Sequence, residues 1–326
     1  MSTVPDHLLL APLRARILTE QLGVRAVHLH RAGRPELTTR FMDDTVENLY
    51  SVSKTVTALA VGIARKEGLL EVDDLLVQHL PVPPGGFGEG VEQVRLHHLL
   101  TMTSGNPITV FEDAQRDHPD VASLFLSTDL VREPGAAFEY SNGSVFLLSR
   151  LITERTGQSM RDWLLPRLFE PLGILNPQWF SARCGTTWGA TGLNLRSGQV
   201  ARIGRLMLQG GRWEGRQVVP REWVDLMHDE DTWVPTAPGI AGHAGSDGES
   251  PNTQPADAPV DPEGKFYGYG VWRCSQPGAW RADGAYGQML LILPEQQASV
   301  AITAHLEGSP GSDIMAAVWE ELLPLL

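Results

Sequence analysis

Cysteine is scarce: the 326-residue chain has two, Cys184 and Cys274, far apart in sequence. That excludes a small disulfide-stapled scaffold and reads most simply as two reduced thiols in a cytoplasmic protein. Positive charge is also short, with 26 Lys and Arg against 39 Asp and Glu and a net charge of -13, and no basic run offsets it. Nucleic acid and anionic membrane surfaces are thereby excluded as expected partners. No apolar run is long enough to span a bilayer. The short apolar stretch Leu8 to Leu10 follows Asp6 and runs into Arg14 and Arg16, so no signal peptide is expected. There is no internal repeat. What the chain does have is 42% hydrophobic residues, which suits one large folded domain or two of ordinary size.

Residues 8–22 have the pattern of an amphipathic helix, and residues 24–31 and 35–41 read as two strands joined by a turn at Gly33. A buried helix beginning at Ser51 is expected to stop near Gly68. From about 70 to 180 the periodicity is helical, over 96–102, 121–126, 143–154 and 160–169. Further helices are expected over 197–208 and 221–228. Residues 233–264, rich in Pro, Gly, Ala and Asp, read as a long loop and a candidate lid. Strands follow over 266–274, 279–283, 288–293 and 298–305, then a helix over 313–323. The expected fold class is α+β: an antiparallel β-sheet flanked by helices and built from both chain ends (1–69 and 181–326), with an inserted all-α region (70–180).

Within Ser51-Val52-Ser53-Lys54, positions i and i+3 of a helix share a face, so the Lys54 amine is expected beside the Ser51 hydroxyl. There it can take the hydroxyl proton or stabilise the alkoxide, aided by the positive end of the helix dipole. A plain N-cap role for Ser51 is the competing explanation. From Val52 to Ala64 the only charge is Lys54, and a lysine in so apolar a helix needs a reason. Tyr140-Ser141-Asn142 follows the loop Glu133-Pro134-Gly135 and precedes a helix, a rigid place for side chains that work on a substrate. Beside a lysine ammonium a tyrosine pKa is expected to fall enough for general-base duty, and an asparagine amide suits a carbonyl. Here too helix capping, by Ser141 or Asn142, competes.

Taken together, Leu49-Tyr50-Ser51-Val52-Ser53-Lys54-Thr55, His98-Leu99-Leu100-Thr101-Met102-Thr103-Ser104-Gly105, Pro134-Gly135 and Tyr140-Ser141-Asn142 resemble the class C branch of the serine β-lactamase and penicillin-binding-protein superfamily. Ala201 to Leu206 and Tyr267 to Trp272 extend the resemblance, which runs from about residue 22 to the C-terminus. It implies a site between the sheet and the helical region, with Ser51 as the acylated nucleophile, Lys54 as its proton partner, Tyr140 as general base and Asn142 contacting substrate. It also implies an oxyanion hole made by the backbone N–H groups of Ser51 and Ala285, and no metal or organic cofactor.

The chain departs from many relatives at the strand lining the site, where Lys-Thr-Gly or His-x-Gly is replaced by Ala282-Asp283-Gly284. The cation that would bind a substrate carboxylate is missing, and Asp283 adds negative charge, which disfavours β-lactams and peptide carboxylates. With Asp283, Gly284 and Ala285 as substrate-binding positions, the expected activity is hydrolysis of small esters or amides through an acyl-enzyme. The similarity of Gly284-x-x-Gly287-Gln288 to carboxylesterases and 6-aminohexanoate-oligomer hydrolases favours the same. β-Lactamase or D-amino-acid peptidase activity is the alternative, and a non-catalytic acyl-binding sensor the alternative of another class. His243-Ala244-Gly245 precedes the strand it would have to follow, and Ala244 to Gly248 lacks the first glycine and the strand-to-helix setting of a nucleophile elbow. His28 and His30 share a strand face without third and fourth metal ligands, and read as solvent-facing.

Overall fold

A computed structural model describes residues 5–236, 265–308 and 311–326. The chain opens with helix α1 (Ala11–Thr19) and strands β1 (Val24–Arg31) and β2 (Leu37–Arg40), and a short strand β3 (Glu47–Asn48) leads into α2 (Val52–Lys66). Next come α3 (Leu96–Leu100), α4 (Asp113–Arg116), α5 (Val121–Ser127), α6 (Asn142–Thr156) and α7 (Met160–Leu164). After β4 (Gln178–Trp179) and β5 (Leu193–Leu195) the chain forms α8 (Ser197–Leu208), the ribbon β6 (Arg212–Trp213) and β7 (Arg216–Gln217), and α9 (Arg221–Met227). It returns through β8 (Val234–Pro235), β9 (Phe266–Tyr267), β10 (Trp272–Arg273), β11 (Trp280–Gly284), β12 (Gln288–Leu293) and β13 (Ala298–Ala304) to α10 (Gly311–Ala317).

The fold is α+β. Among the described residues eight strands form one sheet in the order β2-β1-β13-β12-β11-β10-β9-β8, and every adjacent pair is antiparallel. Its centre joins the chain ends, with Val27 opposite Ile302 and Leu290 opposite Ala301. Both faces are covered, which is why β12 and β13 are buried throughout and read as nearly continuous apolar runs. On one face Met289, Leu291, Val300 and Ile302 pack with Leu13 and Ile17 of α1 and Ile314 of α10. On the other, Leu290, Ile292 and Ala301 join Val56 of α2, Val200 and Ile203 of α8 and the interior of the helical segment in one continuous core. Each such Leu, Ile or Val contributes about 1.5–3 kcal/mol on burial.

Helix α2 runs through this core with every residue from Val52 to Ala64 buried. Lys54 is the only charge in that stretch, and the buried Thr57 hydroxyl is satisfied by the Gly189 carbonyl at 2.9 Å. Gly62 lets α9 approach: a Cβ there would lie 2.1 Å from the Trp223 ring, whose Nε1 donates to the Ala58 carbonyl at 2.9 Å. Helix α6 starts from Ser141, whose hydroxyl accepts from the Ser144 N–H at 3.0 Å, and stops at the left-handed Gly157.

Two expectations need correction. The apolar run 266–274 is not one strand but two, β9 and β10, paired through Tyr267 and Trp272. Between them Gly268 and Gly270 let the chain fold against its neighbours: a Cβ at Gly268 would sit 2.3 Å from the Met227 carbonyl oxygen, and Thr55 Oγ1 donates to the Gly270 carbonyl at 2.6 Å. His28 and His30 do not face solvent but are buried; His28 lies between Glu36 (2.8 Å) and Ser197 (2.9 Å) at the start of α8. Val234 belongs to β8, whereas His243 to Gly248 and the rest of the candidate lid beyond residue 236 fall outside the described residues. Among the described residues no helix is long and apolar enough to cross a membrane.

Candidate active site

Ser51 stands at the entrance of α2 with helical backbone angles (φ -69°, ψ -13°) and makes no side-chain capping bond. Its hydroxyl is engaged instead by Lys54, whose Nζ donates to Ser51 Oγ at 2.8 Å and to the Ala190 carbonyl at 3.0 Å. The N-cap explanation of Ser51 therefore fails on geometry. Lys54 is only 2% exposed, and burial lowers its pKa to about 7, against a smaller opposing pull from Asp283. Near neutral pH about half of such amines are uncharged, and an uncharged amine can accept the Ser51 proton.

Tyr140 completes the cluster. The Lys54 ammonium sits 4.7 Å from its ring centroid, and its phenol shares a hydrogen bond with Ser51. The expected lowering of its pKa is not found: burial, and then the Asp283 carboxylate, push the phenol up, outweighing the Ser51 hydrogen bond. Trp272 stacks on Tyr140 at 5.6 Å and Tyr267 meets it edge-on at 6.0 Å. Phe111, itself exposed, stacks at 6.3 Å. With Ser141 as the cap, Asn142 occupies the first turn of α6, its N–H bonded to the Thr109 carbonyl at 2.9 Å. No described residue engages its side-chain amide.

The wall opposite Ser51 is the end of β11. Gly284 lies so close to the approach to α2 that a Cβ would be 2.5 Å from the Leu49 carbonyl oxygen and 3.2 Å from the Ser51 nitrogen. Only glycine permits this approach. Ala285 follows directly, half-exposed, and among the described residues the Ser51 N–H has no hydrogen-bond partner. Asp283 is buried, and Arg281 Nε donates to its Oδ2 at 3.0 Å. The expected unbalanced negative charge is thus corrected to a buried ion pair.

A model for the family described as Beta-lactamase matches residues 26–323. The chain belongs to the Beta-lactamase family. A curated relative, "Beta-lactamase" from Yersinia enterocolitica, is 27% identical over 144 residues, covering 44% of this chain and 35% of that protein. The chain thus spans about a third of the length of that relative. Among solved structures, the octameric penicillin-binding protein homologue from Pyrococcus abyssi superposes with a TM-score of 0.70 at 20% identity, covering 97% of this chain and 76% of the other. A D-stereospecific amidohydrolase from Streptomyces sp. gives a TM-score of 0.69 at 18% identity, covering 98% and 99%. At these identities the superpositions show a shared fold.

In this Beta-lactamase-family member the fold brings Ser51, Lys54 and Tyr140 into one cluster, sets Gly284 against the Ser51 backbone, and leaves the Asn142 amide unpartnered at the helix entrance beside Tyr140. Three participants were not anticipated. Arg281 was legible in principle, since residues two apart on a strand share a face and Arg281 therefore lies beside Asp283. The Ala190 carbonyl and the Phe111 ring carry no local sequence signal, because both reach the site through loops. Among the described residues no cluster of three or more His, Cys, Asp or Glu is arranged to hold a metal ion.

Proposed function

We propose that this chain is a serine hydrolase that cleaves small, uncharged esters or amides through an acyl-enzyme on Ser51. One observation carries the proposal: the buried Lys54 amine, with its pKa near 7, lies 2.8 Å from the Ser51 hydroxyl. Neutral Lys54 takes the hydroxyl proton as Ser51 Oγ attacks the carbonyl carbon, forming a tetrahedral oxyanion. The Ser51 and Ala285 N–H groups stabilise that oxygen, and Asn142 contacts the substrate carbonyl region. Tyr140, kept neutral by burial, relays the proton to the leaving alcohol or amine as the C–O or C–N bond breaks. Water then attacks the acyl-enzyme with Lys54 again as base, releasing the acid and restoring Ser51.

Substrate charge follows from the β11 wall. Arg281 is buried and committed to Asp283, so it offers no partner to a substrate carboxylate, and the Asp283 carboxylate lies close enough to act on Lys54 and Tyr140. The family relationship and the similarity to a β-lactamase and an amidohydrolase support acyl transfer to water as the reaction class. β-Lactam hydrolysis is the second reading, favoured by the Yersinia relative. Purified protein and Ser51→Ala, incubated with p-nitrophenyl butyrate and with a chromogenic cephalosporin, separate the two. Ester turnover by the parent alone, with little cephalosporin cleavage, is expected; rapid cephalosporin cleavage would overturn the charge argument, and a stable adduct without turnover would identify a sensor.

A further inference from the structure

Two non-glycine residues with left-handed backbone stand beside the two proposed oxyanion donors. Tyr50, immediately before Ser51, has φ +46°, and Tyr286, immediately after Ala285, has φ +64°. An aromatic residue adopts this region only at a cost, and such strain persists only where the surroundings over-determine it. Among those surroundings each ring is the other's neighbour. Although one residue comes from the entrance of α2 and the other from the turn after β11, their ring centroids lie 4.9 Å apart at 53°. Tyr286 is backed in turn by His305, stacked at 4.7 Å and 12°. On the α2 side the backbone is pinned: the Tyr50 N–H donates to Asn48 Oδ1 at 3.0 Å, and the Leu49 N–H to the Leu193 carbonyl at 2.8 Å. Gly284, two residues before Tyr286, leaves no room for a side chain against the Leu49 carbonyl oxygen and the Ser51 nitrogen.

We infer that Tyr50 and Tyr286 form an aromatic clip that fixes the spacing of the Ser51 and Ala285 N–H groups across the gap between α2 and β11. They are positioning residues: each acts through the peptide unit beside it. The inference rests on the proposed role of those N–H groups as oxyanion donors. It differs from a substrate-lining role for the rings, which would govern binding in the ground state. A donor displaced by a fraction of an ångström loses stabilisation of the tetrahedral oxygen while the ground-state carbonyl is bound much as before.

The test uses the full chain with Tyr286→Gly, Tyr286→Asn and Tyr286→Phe. Gly and Asn both accept positive φ, so they remove the ring without adding strain, and Asn serves should Gly prevent folding. Four quantities are compared with the parent: labelling of Ser51 by a fluorophosphonate, kcat and KM for p-nitrophenyl butyrate, affinity for an alkyl boronic acid whose tetrahedral adduct places an oxygen in the hole, and the thermal midpoint. The expected result is a parallel fall in kcat and boronate affinity of roughly tenfold or more for Gly and Asn, with KM nearly unchanged. Tyr286→Phe, which keeps the ring, is expected to restore both. Parent-like kcat and boronate affinity in Tyr286→Asn, or a loss confined to KM, would overturn the clip. Failure of the parent to label at Ser51 would overturn the functional reading and the clip with it.

Discussion

At the scale of single residues, the chemistry depends on a lysine held where a lysine is unstable. Burial lowers the Lys54 pKa to about 7, so its neutral fraction, and with it kcat/KM, is expected to rise with pH to a plateau about a midpoint near 7. Asp283 opposes that lowering. Asp283→Asn should therefore move the midpoint to lower pH, as read from a pH profile of kcat/KM. The same change removes one charge of the buried Arg281–Asp283 ion pair, so it should also lower the thermal midpoint. Lys54→Met should abolish turnover yet stabilise the fold. The folded pKa lies below the ordinary lysine value, so the unfolded chain binds the extra proton between about pH 7 and about 10.4 and stability rises with pH across that window. The thermal advantage of Lys54→Met over the parent is accordingly expected to be largest at and below pH 7 and to shrink towards pH 10.

At the scale of elements, the site exists because a strand end and a helix entrance touch. Gly284→Ala would drive a methyl group to 2.5 Å from the Leu49 carbonyl oxygen, so β11 must shift from Ser51. A loss of about 1–3 kcal/mol in stability is expected, with a disproportionate loss in kcat, checked by denaturant unfolding and steady-state kinetics. The elements that carry the site were largely legible in sequence. Helix α8 occupies 197–208 as its periodicity indicates, and α2 follows from the stretch Val52 to Ala64, in which Lys54 is the only charge. What escaped local reading depends on partners remote in sequence. The break between β9 and β10 is set by Met227 and Thr55 acting on glycine positions within an otherwise strand-like run. His28 is buried because α8 covers its face of β1, placing Ser197 2.9 Å away. Tyr140 titrates upward rather than downward because burial acts on it more strongly than any neighbour does.

At the scale of the whole molecule, the sheet joins the two ends of the chain, and its α2–α8 face merges with the helical interior in one core. Stability rests on that burial, without a disulfide: Cys184 is exposed and Cys274 buried, and neither is cross-linked. A thiol reagent should therefore modify Cys184 in the native protein and reach Cys274 only on unfolding, and reductant should leave the thermal midpoint unchanged. The core also isolates Lys54 from water, so the global fold sets the reactivity of one hydroxyl. The most direct test is the pre-steady-state rate of Ser51 acylation by p-nitrophenyl butyrate as a function of pH, with the acyl group located by peptide mass. An adduct on Ser51 whose formation rate rises about a midpoint near pH 7, and is abolished in Lys54→Met, is the expected result. Acylation at another residue, or a rate indifferent to pH and to Lys54, would contradict the account.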